Sequence, residues 1–253
     1  MLWERTSVLK AFPFMDAIPG ARQGAVFDGR DALASGSRAP FRAGKISPKL
    51  NRQVKNRNVT WYLETERMRL RRFTADDLDW LAELHGDQAV MRYIDDGKPE
   101  PREDVAACTL PRILRDYEVL PACLGWFAAV SAGSGSPLGW FGLMPPSSVG
   151  LDGRPGGLDA GVELGYRLLR AAWGNGYATE GARAMVGKAF TEHGAERVVA
   201  TTMTVNEASR RVLEKAGLSL VRIFFAQWPE YIDGAEYGDV VYAVSRHDWL
   251  ARA

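Results

Sequence analysis

The segment from Gly161 to Phe190 constrains the fold more than any other part of this 253-residue chain. Gly161 to Leu169 reads as a strand. Its alternation sets Val162, Leu164, Tyr166 and Leu168 on one face and Glu163, flanked by Gly161 and Gly165, on the other. Ala178 to Phe190 carries apolar residues at 178, 182, 185, 186, 189 and 190, the stripe of a helix facing a core. Between them lies Trp173-Gly174-Asn175-Gly176-Tyr177-Ala178-Thr179. Two glycines two residues apart let the backbone turn tightly and approach a ligand closely, and the amides that follow belong to a helix N-terminus, which favours anions. The chemistry this implies is phosphate or diphosphate cradling. Neither Gly-Lys-Ser/Thr nor GxGxxG is present, which disfavours a nucleoside-triphosphate loop and a dinucleotide fingerprint.

The rest of the chain from residue 61 alternates strands and helices. Arg67 to Phe73 alternates like a half-buried strand. Thr74 offers an N-cap with Asp77 three residues on, before the stripe Leu78, Leu81, Leu84. A second helical region falls within Arg102 to Tyr117, broken or kinked by Pro111. Gly125 to Ser131 and Leu138 to Leu143 form a hairpin by turn chemistry, and Met144 to Asp159 is a long Pro/Gly-rich loop. Arg197 to Met203 is a β-branched strand, Asn206 to Ala216 a helix stopped by Gly217, and Leu218 to Phe225 and Val240 to Ser245 are strands. The pattern predicts an α/β fold with a mixed sheet.

Composition narrows the class. With 46% hydrophobic residues the chain can bury a core, and no apolar run approaches the roughly 20 residues of a membrane span. Cys108 and Cys123 cannot build a disulfide framework, and His85, His193 and His247 fall in no metal-ligand spacing, so no metal is expected. The two thiols suit a reducing, cytoplasmic setting. Residues 1–60 carry 11 Lys+Arg against 4 Asp+Glu, whereas residues 61–253 carry 21 against 27. We therefore expect a basic, irregular N-terminal extension (1–60) ahead of one domain (61–253). The acid-free stretch Lys45 to Arg57 is the one place where nucleic acid would bind; a solvated tail or surplus leader is the plainer reading.

Two further features carry candidate chemistry. Glu163, between two glycines on a strand face, has open space above it and suits a general base. Asn206 is a natural N-cap and Ser209 lies in the first turn of the same helix, near its positive end; Arg210 and Arg211 follow. A glutamate satisfied by a neighbouring arginine and an ordinary capped helix are the plain alternatives. Trp126, Phe127, Trp140 and Phe141 read as core or acceptor-pocket walls. Phe224, Phe225 and Trp228 read as core first, and otherwise as an acceptor-side or dimer surface.

The combination resembles the GNAT N-acetyltransferases, in the order and spacing of their RimJ/RimL-like branch. The resemblance rests on Glu163-Leu164-Gly165-Tyr166-Arg167, Trp173 to Ala184, Glu196-Arg197-Val198 and Asn206 to Gly217, preceded by Leu63 to Phe73 and Val90-Met91-Arg92-Tyr93. It covers about residues 62 to 250 and leaves 1–58 outside. It implies a splayed β-sheet flanked by helices, acetyl-coenzyme A as co-substrate and direct transfer to a primary amine. Trp173, Gly174, Asn175, Gly176, Tyr177, Ala178 and Thr179 match the diphosphate turn, with Trp173 where Arg or Gln is usual. Pantetheine is then expected between the strand of Glu163 and Arg197 to Met203, with Asn206 ordering the helix entry and Arg211 near the coenzyme's phosphates. Glu163 is the implied base. Leu213 stands where many relatives carry a tyrosine acid, so Ser209 is the implied proton donor.

The acceptor implied is a peptide N-terminus or a small-molecule amine, and a homodimer is a further expectation. Two alternatives are a non-catalytic acyl-coenzyme A-binding module, which the loss of the tyrosine would favour, and transfer of another acyl group such as succinyl, for which Arg167 or Arg92 would supply a cation.

Overall fold

The computed structural model describes residues 60–145, 161–225 and 231–252. The basic extension, apart from Thr60, and most of the Met144–Asp159 loop lie outside the described residues, as does Trp228.

Eight strands form one sheet: β1 (Leu63–Glu64), β2 (Met68–Arg72), β3 (Gly125–Ser131), β4 (Pro137–Met144), β5 (Gly161–Leu168), β6 (Arg197–Met203), β7 (Ser219–Phe224) and β8 (Asp239–Ser245). Their order is β1-β2-β3-β4-β5-β6-β8-β7. Neighbours are antiparallel except β5 and β6, which are parallel and linked through a helix. The sheet is therefore mixed, as expected, and helices cover both faces. On one side α5 (Tyr177–Thr191) and α6 (Glu207–Lys215) pack on Met68, Leu70, Phe127, Phe141, Leu164 and Val198. On the other, α1 (Leu78–Gly86) and the helical stretch Arg102–Val119 pack on Phe73, Trp126, Ala128 and Trp140. A fully buried aromatic or aliphatic side chain contributes roughly 1.5–3 kcal/mol. The four fully enclosed rings Phe127, Phe141, Phe190 and Tyr242 thus make the α5 face the chief stabilising layer.

Local chemistry explains the elements. The Asp77 carboxylate accepts from the backbone N–H of Thr74 at 2.8 Å, so the expected cap is present, set on a single 3-10 turn (Ala75–Asp77) that leads into α1. Pro111 neither breaks nor sharply ends its helix. A π turn, Val105–Thr109, joins α3 (Arg102–Asp104) to α4 (Leu110–Val119), and Pro111 falls in the first turn of α4. Because the helix runs on through the π turn, the missing N–H of Pro111 leaves a carbonyl of the preceding turn without its helical donor, and the wider π turn accommodates the ring. Gly217, at φ +95°, ends α6: its N–H bonds Glu214 O and that of Leu218 bonds Leu213 O, the paired closure of a Schellman motif. Three short elements had no periodic signal: β1, α2 (Gln88–Met91) and α7 (Arg246–Leu250).

The aromatic pairs of the hairpin are core: Trp126, Phe127, Trp140 and Phe141 are all buried. The core reading of Phe225 is corrected. It follows edge strand β7 and is 72% exposed, because an outermost strand has a neighbour on one side only.

Candidate active site

The parallel pair β5–β6 is the feature that organises the site. Its register runs Gly161–Arg197, Val162–Val198, Glu163–Val199. Beyond that point Leu164 to Leu168 remain paired with β4, and Ala200 to Met203 with β8. The two strands part immediately after Glu163, and the facing backbone groups of both edges require partners. Glu163 stands at this parting. Its side chain is 1% exposed, and the hydroxyl of Thr201, two residues past the last paired position of β6, donates to its Oε1 at 2.9 Å. Alternation places Glu163, Gly165 and Arg167 on the face opposite Leu164 and Tyr166, as the sequence pattern implied. Nothing in the local sequence marks Thr201, because its bond bridges 38 residues, beyond any periodic signal.

Ser209 and Asn206 lie together on the lip formed by α6. The Asn206 side chain accepts from the N–H of Ser209 at 3.2 Å and its amide donates to Thr202 Oγ1 at 3.2 Å, so the expected cap forms. The Ser209 hydroxyl meets the phenol of Tyr166 at 2.9 Å, and that phenol also donates to Ser209 O at 3.2 Å. Tyr166, which alternation assigns to packing alone, thus also meets Ser209 on α6. Burial pushes its phenol up to about 12, so it keeps its proton at neutral pH. Leu213 is buried in the core. Arg210 is engaged with Tyr242 and Thr204, while Arg211 makes an exposed i,i+4 pair with Glu207 at 3.1 Å.

The glycine turn lies between β5 and α5. Gly174 (φ +74°) and Gly176 (φ +80°) both adopt the left-handed region that L side chains avoid, and a Cβ on Gly174 would meet open space. Gly176 is the N-cap of α5, and the Glu180 N–H is bonded to its carbonyl at 3.0 Å. Helix geometry leaves the amides of Tyr177, Ala178 and Thr179 without an acceptor inside the helix. Trp173 anchors the turn: its indole N–H donates to Leu168 O at 2.8 Å, and Asn175 Nδ2 donates to Trp173 O at 2.9 Å. Arg67, ahead of β2, reaches the same turn. Its Nη1 donates to Asn175 O at 2.8 Å, its Nε donates to Glu180 Oε2 at 2.6 Å, and its Cζ lies 4.9 Å over the Tyr177 ring.

Beneath the same face as Glu163 runs a buried polar chain. Arg167 Nη1 lies 3.2 Å from His85 Nε2, and His85 Nδ1 lies 2.6 Å from Glu100 Oε2. Burial, reinforced by the Arg167 charge, lowers His85 to about 4, so its imidazole is neutral. Arg167 stacks on Trp140 and is itself buried, which ties α1 to β5.

Residues 67–219 match the acetyltransferase (GNAT) domain family. The chain is 33% identical over 194 residues, 74% of its length and 77% of the relative's, to FsC-acetyl coenzyme A-N(2)-transacetylase of Aspergillus fumigatus. It superposes on a GNAT-family acetyltransferase from Bacillus anthracis with a TM-score of 0.58 at 22% identity, covering 73% of this chain and 98% of that one. Against RimL, a ribosomal L7/L12 alpha-N-protein acetyltransferase in complex with coenzyme A, the TM-score is 0.57 at 16% identity, covering 72% and 95%. With its parted sheet and a match over more than half its length, the chain belongs to the GNAT acetyltransferases, enzymes that move acetyl from acetyl-coenzyme A to an amine.

Proposed function

We propose that this chain is a cytoplasmic N-acetyltransferase of the RimJ/RimL-like branch, transferring acetyl from acetyl-coenzyme A to the primary amine of a peptide N-terminus or small molecule. The observation that carries the reading is the parting of β5 from β6 at Glu163, beside a turn whose glycines leave amides free for an anion. Trp173, Gly174, Asn175, Gly176, Tyr177, Ala178 and Thr179 hold the diphosphate at the N-terminus of α5. Asn206 orders the lip that pantetheine passes, its amides pairing with the free strand edges. Arg211 is the exposed cation offered to the coenzyme's outer phosphate. That a relative one-third identical acts at an N(2) position supports a nitrogen acceptor.

In this mechanism Glu163 takes a proton from the acceptor ammonium through a water, since the carboxylate itself is closed off from solvent. The neutral nitrogen forms the new C–N bond while backbone N–H groups at the parted edge hold the carbonyl oxygen's developing charge. The C–S bond breaks, and Ser209, hydrogen-bonded to Tyr166, gives its proton to the departing thiolate. The Tyr166 proton can then restore Ser209, and the second proton, which the nitrogen sheds as the amide forms, restores Tyr166 through water. Peptide N-termini, aminoglycosides and polyamines assayed for released thiol test the reading. Amine-dependent release from at least one class is expected. Coenzyme binding without such release from any of them would overturn it.

A further inference from the structure

We propose that Arg67 is the cation of the diphosphate site, supplied from the entry to β2 instead of from the turn itself. The inference rests on the reading of the turn as the diphosphate cradle and adds a residue to it. Position 173, where a basic or amide side chain would stand, carries an indole tied to Leu168 O. The turn therefore offers amides and no charge of its own. Its first helical turn instead contains Glu180, a carboxylate that would repel a diphosphate.

Arg67 answers both problems. Its Nε and Nη2 each lie 2.6 Å from Glu180 Oε2, and its backbone N–H donates to Oε1 at 3.0 Å, with the Thr65 hydroxyl at 2.6 Å. Slight burial raises the Glu180 carboxyl, but these hydrogen bonds and the Arg67 charge outweigh it and hold the group below the usual carboxylate range. The same guanidinium runs along the turn, with Nη1 on Asn175 O and Nη2 3.3 Å from where a Cβ on Gly176 would stand. A guanidinium has five N–H donors, and these side-chain contacts take three. The other two remain for phosphate oxygens, on a side chain that is 44% exposed.

The test is calorimetric titration of the full chain with coenzyme A and, separately, with pantetheine, which lacks the diphosphate. Arg67→Met should weaken coenzyme A at least about tenfold and leave pantetheine affinity unchanged, whereas Arg67→Lys should recover part of the loss. Glu180→Gln, which removes the opposing charge, should tighten coenzyme A several-fold. Equal coenzyme A binding by the wild type and Arg67→Met would overturn the proposal. So would a parallel loss of both ligands, which marks a purely structural clasp. Should Arg67→Met fail to fold, an unchanged coenzyme A affinity in Glu180→Gln overturns it. A wild-type chain that binds no coenzyme A removes the cradle itself, a failure distinct from that of Arg67.

Discussion

The phenol of Tyr166, on β5 just past the point where that strand leaves β6, lies 2.9 Å from the hydroxyl of Ser209, 43 residues further on. The pair joins one lip of the parting to the helix that follows the other. The buried phenol remains protonated at neutral pH, so this pair can supply a proton where the sequence offers no tyrosine on α6. Ser209→Ala should lower kcat by about a hundredfold, the lower end of acid catalysis. Tyr166→Phe, which removes both contacts of the phenol with Ser209, should lower it by about tenfold. Pre-steady-state thiol release distinguishes the two; wild-type rates in both would remove the pair from proton delivery.

Glu163→Gln keeps the shape of the side chain and its bond from Thr201 while removing the base. The turnover rate should fall by about 10²–10⁴-fold with coenzyme A affinity unchanged. A pH–rate profile of the variant identical to that of the wild type would exclude Glu163 as base.

Gly176→Val places a β-branched residue at φ +80°, with a Cβ 3.3 Å from Arg67 Nη2. Left-handed backbone costs an ordinary L residue about 1–2 kcal/mol and a β-branched one more, so the turn must rearrange. Coenzyme A affinity should drop by about a hundredfold or more. Calorimetry checks it, and retained tight binding would contradict the cradle.

Gly181 lets α5 lie close against the sheet: an added Cβ would run into the tip of the buried Phe141 ring. Gly181→Ala gains up to about 1 kcal/mol of helix propensity but forces overpacking worth roughly 1–3 kcal/mol. The expected result is a lower melting temperature. An unchanged or raised one would show that α5 can move off β4 freely.

Acid sensitivity should originate in the His85–Glu100–Arg167 chain. His85 is held at about 4 against an ordinary 6.5, so unfolding takes up a proton between those values. Stability therefore falls as pH drops from about 6.5 towards 4, by up to about 1.4 kcal/mol per pH unit for that one proton. Glu100 acts in the same direction at lower pH. Burial raises its carboxyl, but the bonds from His85 and Thr109 hold it below the usual range. Urea midpoints at pH 7, 5.5 and 4.5 check the slope, and His85→Gln should flatten it.

Much of the scaffold was legible because it is local. The alternation of Met68 and Leu70 predicted a strand whose apolar residues are fully buried, and Asn206 and Gly217 bracket a helix through contacts a few residues long. Gly174 and Gly176 marked the turn because left-handed backbone selects for glycine. Pro111 announced a perturbation but not its form, since whether a helix breaks or widens depends on what packs around it.

The residues that surround the chemistry answer to a different cause. Thr201 meets Glu163, Tyr166 meets Ser209 and Arg67 meets Glu180 across 38, 43 and 113 residues. No short-range period encodes such pairs, because they depend on where two strands stop sharing hydrogen bonds and on which edge each side chain then faces. From the chain of letters alone came the order of elements, the anion-favouring turn and the lone carboxylate. Three-dimensional packing decided which hydroxyl and which cation stand beside them, because only the register of distant strands brings those groups within hydrogen-bonding distance.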